Sequence, residues 1–453
     1  MTYTIEKVTT LIGARRYGDR DGNVGFILTD SRSLCFPEET LFFALKSERN
    51  DGHNYIPELY RRGVRNFVVS QVPKGYASDY PEANFLKVVN TLEALQRLAE
   101  RHRDEFNIPI VGITGSNGKT MVKEWLHQLL SPSMFVTRSP RSYNSQIGVP
   151  LSVWLLNEQT QVGVFEAGIS QPGEMLALRD IIQPTIAVLT YLGAAHQENF
   201  ESLEAKCREK IILFHDAETI VYNGDDETVS GVVNEYKDYK GEKLFWSFRD
   251  TKAPFFVKNV EKKGNLSIIT YIYKGEEDSY SLPFIDEASV TNSIIAAVVS
   301  RRLGLSAEEL DKRMALLEPV AMRLEVKEGQ HGCTLINDSY NSDINSLDIA
   351  LDFMSRRPDH KGRRHTLILS DIFQSGESAK DLYHEVSDLC RKRGVVKFIG
   401  IGPQLCSQND EIQISEKFFF SNVEEFIDSE VFKSLRDEVI LLKGARQFGF
   451  DQL

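Results

Sequence analysis

Residues 111–120 read VGITGSNGKT, a glycine-rich stretch that ends in a lysine and a threonine. In a loop of this kind the glycines let the backbone approach a phosphate, Lys119 supplies positive charge, and the Thr120 hydroxyl can join a Mg²⁺ shell. The spacing is shorter than in the common phosphate-binding loop, which has a glycine at the place of Ile113. The candidate nucleotide-binding residues of the loop are Gly115, Ser116, Asn117, Gly118, Lys119 and Thr120.

The elements on either side of this loop are those that a phosphate site needs. IPIVGIT is a short β-branched run typical of a buried parallel strand. After the loop, apolar residues recur at helical spacing, which predicts an amphipathic helix that begins near Thr120. A strand, a glycine-rich turn and a helix N-terminus together direct free N–H groups at an anion, so the stretch predicts nucleotide binding.

Two further side chains follow predicted strands, where open α/β sheets hold their sites. VGVFEAG places Glu166 just past an apolar strand, and IAVLTYLGAAH places His196 a few residues past the next one. A carboxylate and an imidazole at consecutive strand ends beside a phosphate loop indicate binding of a divalent metal. Lys210 lies 14 residues beyond His196 and, from its pattern alone, is a surface lysine of a helix.

The composition disfavours several classes of protein. Hydrophobic residues make up 42% and charged residues 26% of the chain, as in ordinary soluble proteins. The formal net charge of −12 and the lack of a long basic run disfavour nucleic acid as a partner. No apolar run approaches the roughly 18 residues of a membrane helix, and the start lacks the apolar region of a signal peptide. The five cysteines form no CxxC pair, so we expect a cytoplasmic protein with reduced thiols and no membrane insertion.

The chain is too long for one core, and its pattern predicts three α/β segments. Residues 1–106 are of mixed α/β character, and residues 107–318 contain the phosphate loop and a parallel sheet. Within the second segment, Phe255–Tyr273 has the pattern of a hairpin. Residues 319–453 alternate strands and helices, which predicts a doubly wound, Rossmann-like sheet. The predicted fold class is therefore α/β with three domains.

Several stretches together resemble the Mur ligases, the ATP-dependent amide-forming enzymes of peptidoglycan synthesis. GITGSNGKT, strand-end Glu166 and the T-x-x-G-x-A-H run ending at His196 carry this likeness. Within the family the chain looks most like the members that add D-alanyl-D-alanine to UDP-N-acetylmuramoyl tripeptide. The stretches that carry the narrower likeness are TDSR at Thr29–Arg32, ETLFFALKSERNDGH at Glu39–His53, SYNSQIGVPLS at Ser142–Ser152, NGDD at Asn223–Asp226, NDSYNSDINS at Asn337–Ser346 and LLKGAR at Leu441–Arg446.

The resemblance implies a uridine-nucleotide-binding domain over 1–106, an ATP-binding domain over 107–318 and a Rossmann-like domain over 319–453. It also implies ATP and two Mg²⁺ ions as cofactors, with Lys210 carbamylated by CO₂. The implied catalytic residues are Lys119, His196 and Lys210, and the implied metal ligands are Thr120, Glu166, His196 and Lys210. Implied nucleotide contacts outside the loop are Asn292, Arg323 and Asp338. Implied substrate contacts are Ser31, Arg32, Lys46, Ser145, Asn341 and Ser342.

The implied reaction joins a carboxylate to an amine. ATP phosphorylates the carboxylate of the tripeptide, because a free carboxylate is a poor electrophile. The amine of D-alanyl-D-alanine then attacks the acyl phosphate, a tetrahedral intermediate forms, and phosphate leaves. In such a site the protein mainly positions reactants and stabilises charge.

Three other interpretations remain open from the sequence. A folylpolyglutamate-type ligase shares the loop and the reaction, but lacks the N-terminal uridine-type segment and the D-S-Y-N stretch. A P-loop NTPase switch or motor is disfavoured by the short loop and by ligands after separate strands. A non-catalytic sugar-nucleotide-binding homologue is suggested by departures from the family pattern at Tyr191 and at SDIFQSG, Ser370–Gly376. The resemblance also raises the expectation that the chain is the ligase half of a fusion to an alanine racemase.

Overall fold

The computed structural model describes residues 1–47, 50–193, 197–237, 239–320, 324–339, 342–356, 362–372, 378–445, 448–450 and 453. In this part of the chain the strands are β1 Tyr3–Thr4, β2 Arg15–Tyr17, β3 Asn23–Val24, β4 Phe26–Leu28, β5 Thr40–Phe43, β6 Asn66–Val69, β7 Asn84–Lys87, β8 Ile110–Thr114, β9 Val136–Arg138, β10 Val162–Glu166, β11 Ile186–Leu189, β12 Thr219–Val221, β13 Glu242–Lys243, β14 Trp246–Ser247, β15 Phe255–Lys263, β16 Leu266–Tyr273, β17 Glu276–Leu282, β18 Glu325–Glu328, β19 Thr334–Asp338, β20 Arg364–Ser370, β21 Lys397–Ile401, β22 Glu416–Phe420 and β23 Glu438–Lys443.

The α-helices of the same described residues are α1 Ile5–Leu11, α2 Ile56–Arg61, α3 Tyr76–Asp79, α4 Thr91–Arg103, α5 Lys119–Leu130, α6 Gly148–Val153, α7 Glu174–Ile182, α8 Leu203–Ile211, α9 Glu227–Glu235, α10 Glu287–Arg302, α11 Ala307–Met314, α12 Ile344–Arg356, α13 Ala379–Lys392, α14 Pro403–Ser407, α15 Val423–Asp428 and α16 Glu430–Lys433.

The N-terminal sheet has the strand order β2-β7-β6-β5-β4. Strand β2 runs antiparallel to β7, and the other pairs are parallel. Phe42 and Phe43 are both fully buried but belong to different core clusters, because successive side chains of a strand point to opposite faces. The sheet is therefore covered on both faces, as its unbroken apolar strands require.

The central sheet carries the phosphate loop and has the order β13-β12-β11-β8-β10-β9. The β9–β10 and β12–β13 pairs are parallel. All five residues of β8 are buried, as the IVGIT run predicts for an interior strand. Helix α5 follows the loop and buries Val122, Trp125, Leu126, Leu129 and Leu130 on one face.

Two further sheets follow the central one along the chain. The antiparallel sheet has the order β14-β15-β16-β17, and β15 and β16 form the predicted hairpin with its turn at Gly264. The C-terminal sheet has the order β18-β19-β23-β20-β21-β22. Its strands are parallel except for β18, which pairs antiparallel with β19. Helices between the parallel strands pack a core around Leu351, Leu367 and Tyr383.

By its internal contacts the chain divides into two compact units. The first unit comprises 1–112, 134–169 and 173–186, and the second comprises 113–133, 170–172 and 187–453. The predicted domain boundaries at 106/107 and 318/319 remain predictions. In the described residues, no helix is long and apolar enough to cross a membrane.

The sequence analysis placed the start of helix α5 near Thr120, and the helix begins one residue earlier, at Lys119. Glu166 is the last residue of β10 and does not lie beyond the strand.

Candidate functional site

The phosphate loop connects β8 to α5 through residues 115–118. Gly115 and Gly118 have φ values of +143° and +88°, which disfavour residues with side chains. A Cβ atom at Gly115 would lie 2.1 Å from Thr190 Oγ1, and one at Gly118 would lie 2.5 Å from Asn292 Oδ1. Both glycines are therefore required by backbone conformation and by close neighbours.

The loop is held from one side by residues Thr190–Gly193, which we call the strap. The Ser116 N–H donates to the Tyr191 carbonyl over 2.6 Å, and the Thr190 hydroxyl donates to the Asn117 carbonyl over 2.5 Å. Ser116 Oγ lies 2.9 Å from the Gly193 N and 3.0 Å from the Gly193 O. These bonds fix the loop backbone against the strap.

Polar groups of the loop are arranged for an anion with its cation. Lys119 Nζ lies 2.7 Å from the Gly115 carbonyl and 3.1 Å from the Ser116 carbonyl, beside the N-terminus of α5. Thr114 Oγ1 and Asn117 Nδ2 are buried and have no hydrogen-bond partner among the described residues. Buried polar atoms are rarely left unsatisfied, so these two atoms fit a site completed by a ligand. The donor set suits a nucleotide phosphate with Mg²⁺.

Lys210 is a buried side chain of α8, and the expectation from its pattern alone of a surface lysine is wrong. It is 3% exposed, and its Nζ donates to the Gly115 carbonyl over 3.3 Å. Burial, then the neighbouring charges of Lys119 and Lys206, lower the pKa of Lys210 well below its ordinary value. A lowered pKa favours the neutral amine, which is the nucleophilic form that adds CO₂.

The predicted metal ligands are only partly described. Glu166 is fully buried at the end of β10, and its N–H donates to Ser139 Oγ over 3.2 Å. Thr120 lies in the first turn of α5. His196 is outside the described residues. Among the residues with a described placement, no group of three or more His, Cys, Asp or Glu side chains could hold a metal. The two-ion site therefore stays a prediction.

The nucleotide contacts predicted outside the loop fall in two places. Asn292 of α10 packs against Gly118, as described above. Asp338 ends β19, and its carboxylate accepts a 2.7 Å hydrogen bond from the buried ammonium of Lys443. Ser342 is buried, and its hydroxyl has no hydrogen-bond partner in the described chain. Arg323 and Asn341 lie outside the described residues.

A cavity of about 560 Å³ in the first unit brings together three predicted substrate contacts, Ser31, Arg32 and Lys46. Arg32 forms a bidentate salt bridge with Asp30, in which Nη2 and Nε donate to the carboxylate over 2.6 Å and 2.9 Å. These hydrogen bonds lower the pKa of the Asp30 carboxyl group. Lys46 Nζ lies 3.9 Å from Asp51 Oδ2. The other lining residues are Thr29, Asp30, Leu45, Ser47, Asn50, Gly52, Tyr55, Leu92 and Ile147. The cavity offers cations for a diphosphate and an aromatic ring for a base.

Ser145, the remaining predicted substrate contact, is exposed at the entry to α6. Its hydroxyl accepts a 3.2 Å hydrogen bond from the Gly148 N–H, which orients the first turn of that helix. It does not line the cavity.

Four residues that the sequence analysis did not propose take part in these sites. They are Thr190 of the strap, Lys206 of α8, Lys443 beside Asp338 and Tyr55 of the cavity. The signals available were weak: Lys206 stands four residues before Lys210, and Lys443 opens the K-G-x-R stretch.

Residues 113–300 match the family model described as the Mur ligase middle domain. This match includes the phosphate loop, and it confirms the resemblance to the Mur ligases that was found in the sequence. Several relatives that match most of the chain share one name, UDP-N-acetylmuramoyl-tripeptide--D-alanyl-D-alanine ligase.

The chain is 28% identical to the UDP-N-acetylmuramoyl-tripeptide--D-alanyl-D-alanine ligase of Bacillus subtilis (strain 168), over 79% of this chain and 76% of that protein. The crystal structure of MurF from Acinetobacter baumannii matches with a TM-score of 0.85 at 22% identity, covering 100% and 98% of the two chains. MurF ligase from Thermotoga maritima in complex with ADP matches with a TM-score of 0.77 at 22% identity, covering 94% and 95%. These likenesses confirm the three-domain α/β fold class.

Proposed function

We propose that this chain is an ATP-dependent ligase that adds D-alanyl-D-alanine to UDP-N-acetylmuramoyl tripeptide through an acyl phosphate. The observation that carries the proposal is the geometry of the phosphate loop. Its glycines, Lys119 and the buried Thr114 Oγ1, which has no hydrogen-bond partner among the described residues, fit a nucleotide phosphate. Relatives that bear this ligase name over most of the chain support the choice of substrates. The narrower alternatives are a folylpolyglutamate-type ligase and a non-catalytic homologue.

The second unit would bind ATP. The loop N–H groups and Lys119 would hold the β- and γ-phosphates, and Asn292, Arg323 and Asp338 would contact the rest of the nucleotide. Thr120, Glu166, His196 and a carbamylated Lys210 would hold Mg²⁺. When bound, Mg²⁺ neutralises phosphate charge, so that the tripeptide carboxylate can approach the γ-phosphate.

The cavity of the first unit would bind the uridine diphosphate end of the tripeptide substrate. Arg32 and Lys46 each lie beside a carboxylate, Asp30 and Asp51 respectively. A diphosphate brings more negative charge than one carboxylate and would compete for both cations. Ser31 would add a hydroxyl donor, Tyr55 can stack on the uracil base, and Asn341 and Ser342 would help to place the incoming dipeptide.

Lys210 would act as a metal ligand after carbamylation. Its neutral amine attacks the carbon of CO₂, the N–C bond forms, one proton leaves to solvent, and a carbamate anion results. Burial favours the neutral amine, and the charges of Lys119 and Lys206 would stabilise the anion.

A cytoplasmic location and fusion to an alanine racemase also stay predictions.

The test is a ligation assay with ATP, Mg²⁺ and UDP-N-acetylmuramoyl tripeptide, with and without D-alanyl-D-alanine. Phosphate release that needs both substrates, with the pentapeptide product seen by mass spectrometry, is the expected result. Parallel reactions contain the precursors that lack one or two residues, or a folate with glutamate. Release with a shorter precursor and one amino acid would move the chain to another step, and release with folate would move it to the folylpolyglutamate type. Tight tripeptide binding without release would identify a non-catalytic homologue.

A further inference from the structure

Helix α8 buries a second lysine one turn before Lys210. Lys206 is 1% exposed and shares a face of the helix with Lys210, because residues four apart lie above one another. A buried ammonium is costly unless it is hydrogen-bonded or paired. The proposed ligand set leaves this group without a role.

One contact of Lys206 is with the strap. Its Nζ donates to the Gly193 carbonyl, the same oxygen that lies 3.0 Å from Ser116 Oγ. The Gly193 N lies 2.9 Å from the same hydroxyl oxygen, so Ser116 is bound to both polar groups of one residue. A chain of contacts therefore runs from the Lys206 ammonium through Gly193 to the phosphate loop.

The strap needs an anchor at this end. At its other end, Thr190 hydrogen-bonds to the carbonyls of Thr114 and Asn117. Gly193 has no side chain with which to fix itself, and a glycine backbone has unusual freedom. The charged hydrogen bond from Lys206 is about twice as strong as a neutral one, which suits it to hold this carbonyl.

We propose that Lys206 is a positioning residue that anchors the Gly193 carbonyl and thereby keeps Ser116 and the phosphate loop in the conformation that binds ATP. The proposal rests on the proposed function in naming ATP as the ligand of the loop. It does not require ligation to occur. A neutral side chain at 206 would free the Gly193 carbonyl to rotate and would let the strap withdraw from Ser116.

The test measures ADP affinity by titration calorimetry, with and without Mg²⁺, for Lys206→Met and Lys206→Arg. We expect Lys206→Met to weaken ADP binding about tenfold, the loss of one charged hydrogen bond, and Lys206→Arg to retain most of the affinity. Unchanged ADP affinity in a folded Lys206→Met protein would overturn the proposal. The matched control is Lys397→Met, which removes a buried lysine paired with Glu438 in the C-terminal sheet. It should lower thermal stability and leave ADP affinity unchanged.

A double-mutant cycle separates positioning from a general loss of stability. Because Lys206 acts through Gly193 on Ser116, the double variant Lys206→Met/Ser116→Ala should bind ADP about as weakly as either single variant. Additive losses would contradict the proposed route. If Lys206→Met does not fold, Lys206→Gln, which keeps a donor without the charge, replaces it in the cycle.

The wild-type protein distinguishes the two proposals. ADP binding without ligation would overturn the proposed function and leave the role of Lys206 standing. Ligation together with normal ADP binding by Lys206→Met would overturn the role of Lys206 alone. Wild-type protein that binds no ADP would overturn both.

Discussion

At the scale of single residues, three amino groups lie around the phosphate loop. Lys119 and Lys210 both donate to the Gly115 carbonyl, and Lys206 donates to Gly193. The two lysines of α8 are buried, and burial lowers the pKa of Lys206 to about 8 and that of Lys210 well below its ordinary value. We infer that Lys119, at the start of α5, is the ammonium best placed to meet phosphate oxygens.

Lys119→Ala should reduce ATP turnover by about 100-fold or more, because it removes a preorganised charge at the developing negative charge of the transition state. The fold should persist, since the loop is held through its backbone by the strap. The measurement is phosphate release together with circular dichroism of the same sample. The matched control is Lys263→Ala, which removes an exposed lysine at the end of β15 and should be neutral. Near-normal turnover by Lys119→Ala would refute the assignment of the loop.

At the scale of elements, the conformation of the phosphate loop is determined by strand β8, by helix α5 and by the strap. Gly115 adopts a conformation that residues with side chains rarely reach, and Thr190 Oγ1 and the Tyr191 carbonyl close the space around it. Because Thr190 Oγ1 and the Tyr191 carbonyl also hydrogen-bond to the loop, the strap cannot yield without losing its bonds to Asn117 and Ser116.

Gly115→Ala should therefore abolish measurable ADP binding while the rest of the protein stays folded. A methyl group 2.1 Å from Thr190 Oγ1 must displace either the strap or the loop. Gly231→Ala in α9 is the matched control, since its Cβ would meet nothing within 4 Å and its backbone is helical. That control should raise stability by up to about 1 kcal/mol and bind ADP normally. ADP titration of both variants, with thermal unfolding, checks the pair, and normal ADP affinity of Gly115→Ala would contradict the loop geometry.

The elements that the sequence predicted well are those with local signals. The β-branched run before the loop, the amphipathic spacing of α5 and the hairpin of β15 and β16 are all readable from nearby residues. The burial of Lys210 was not, because its partner Gly115 is 95 residues away along the chain. The strap was missed for the same reason. It follows β11, which lies next to β8 in the sheet although the two strands are far apart along the chain. Lys206 was missed because it belongs to none of the motifs found in the sequence.

At the scale of the whole molecule, a buried histidine in the first unit makes the free energy of unfolding depend on pH. His102 of α4 is 1% exposed, and its Nε2 lies 3.1 Å from the Leu156 carbonyl. A carbonyl oxygen can only accept, so Nε2 carries the proton and Nδ1 accepts from the Tyr3 hydroxyl at 2.8 Å. Burial lowers the pKa of His102 from 6.5 to about 4.

The sign of the resulting pH dependence follows from proton uptake. Between pH 6.5 and about 4 the unfolded chain binds a proton at His102 that the folded protein does not, so acid favours unfolding. The free energy of unfolding should fall by up to about 3 kcal/mol across this window and be independent of this group above it. Denaturant unfolding from pH 7 to pH 4 measures the slope. His102→Phe should be less stable at neutral pH but should lose this part of the slope, and a slope equal to that of the wild type would contradict the assignment.

In the proposed reaction of the whole molecule, ATP phosphorylates the tripeptide carboxylate before the amine attacks. The most direct measurement is the fate of isotopically labelled oxygen placed in both positions of that terminal carboxylate. One labelled oxygen should pass to the released phosphate and one should remain in the new amide, because the acyl phosphate loses its bridging oxygen with the leaving group. Mass analysis of the phosphate, with a control that omits D-alanyl-D-alanine, gives the answer. Phosphate that forms in step with product but carries no label would contradict the acyl-phosphate route and with it the proposed ligase.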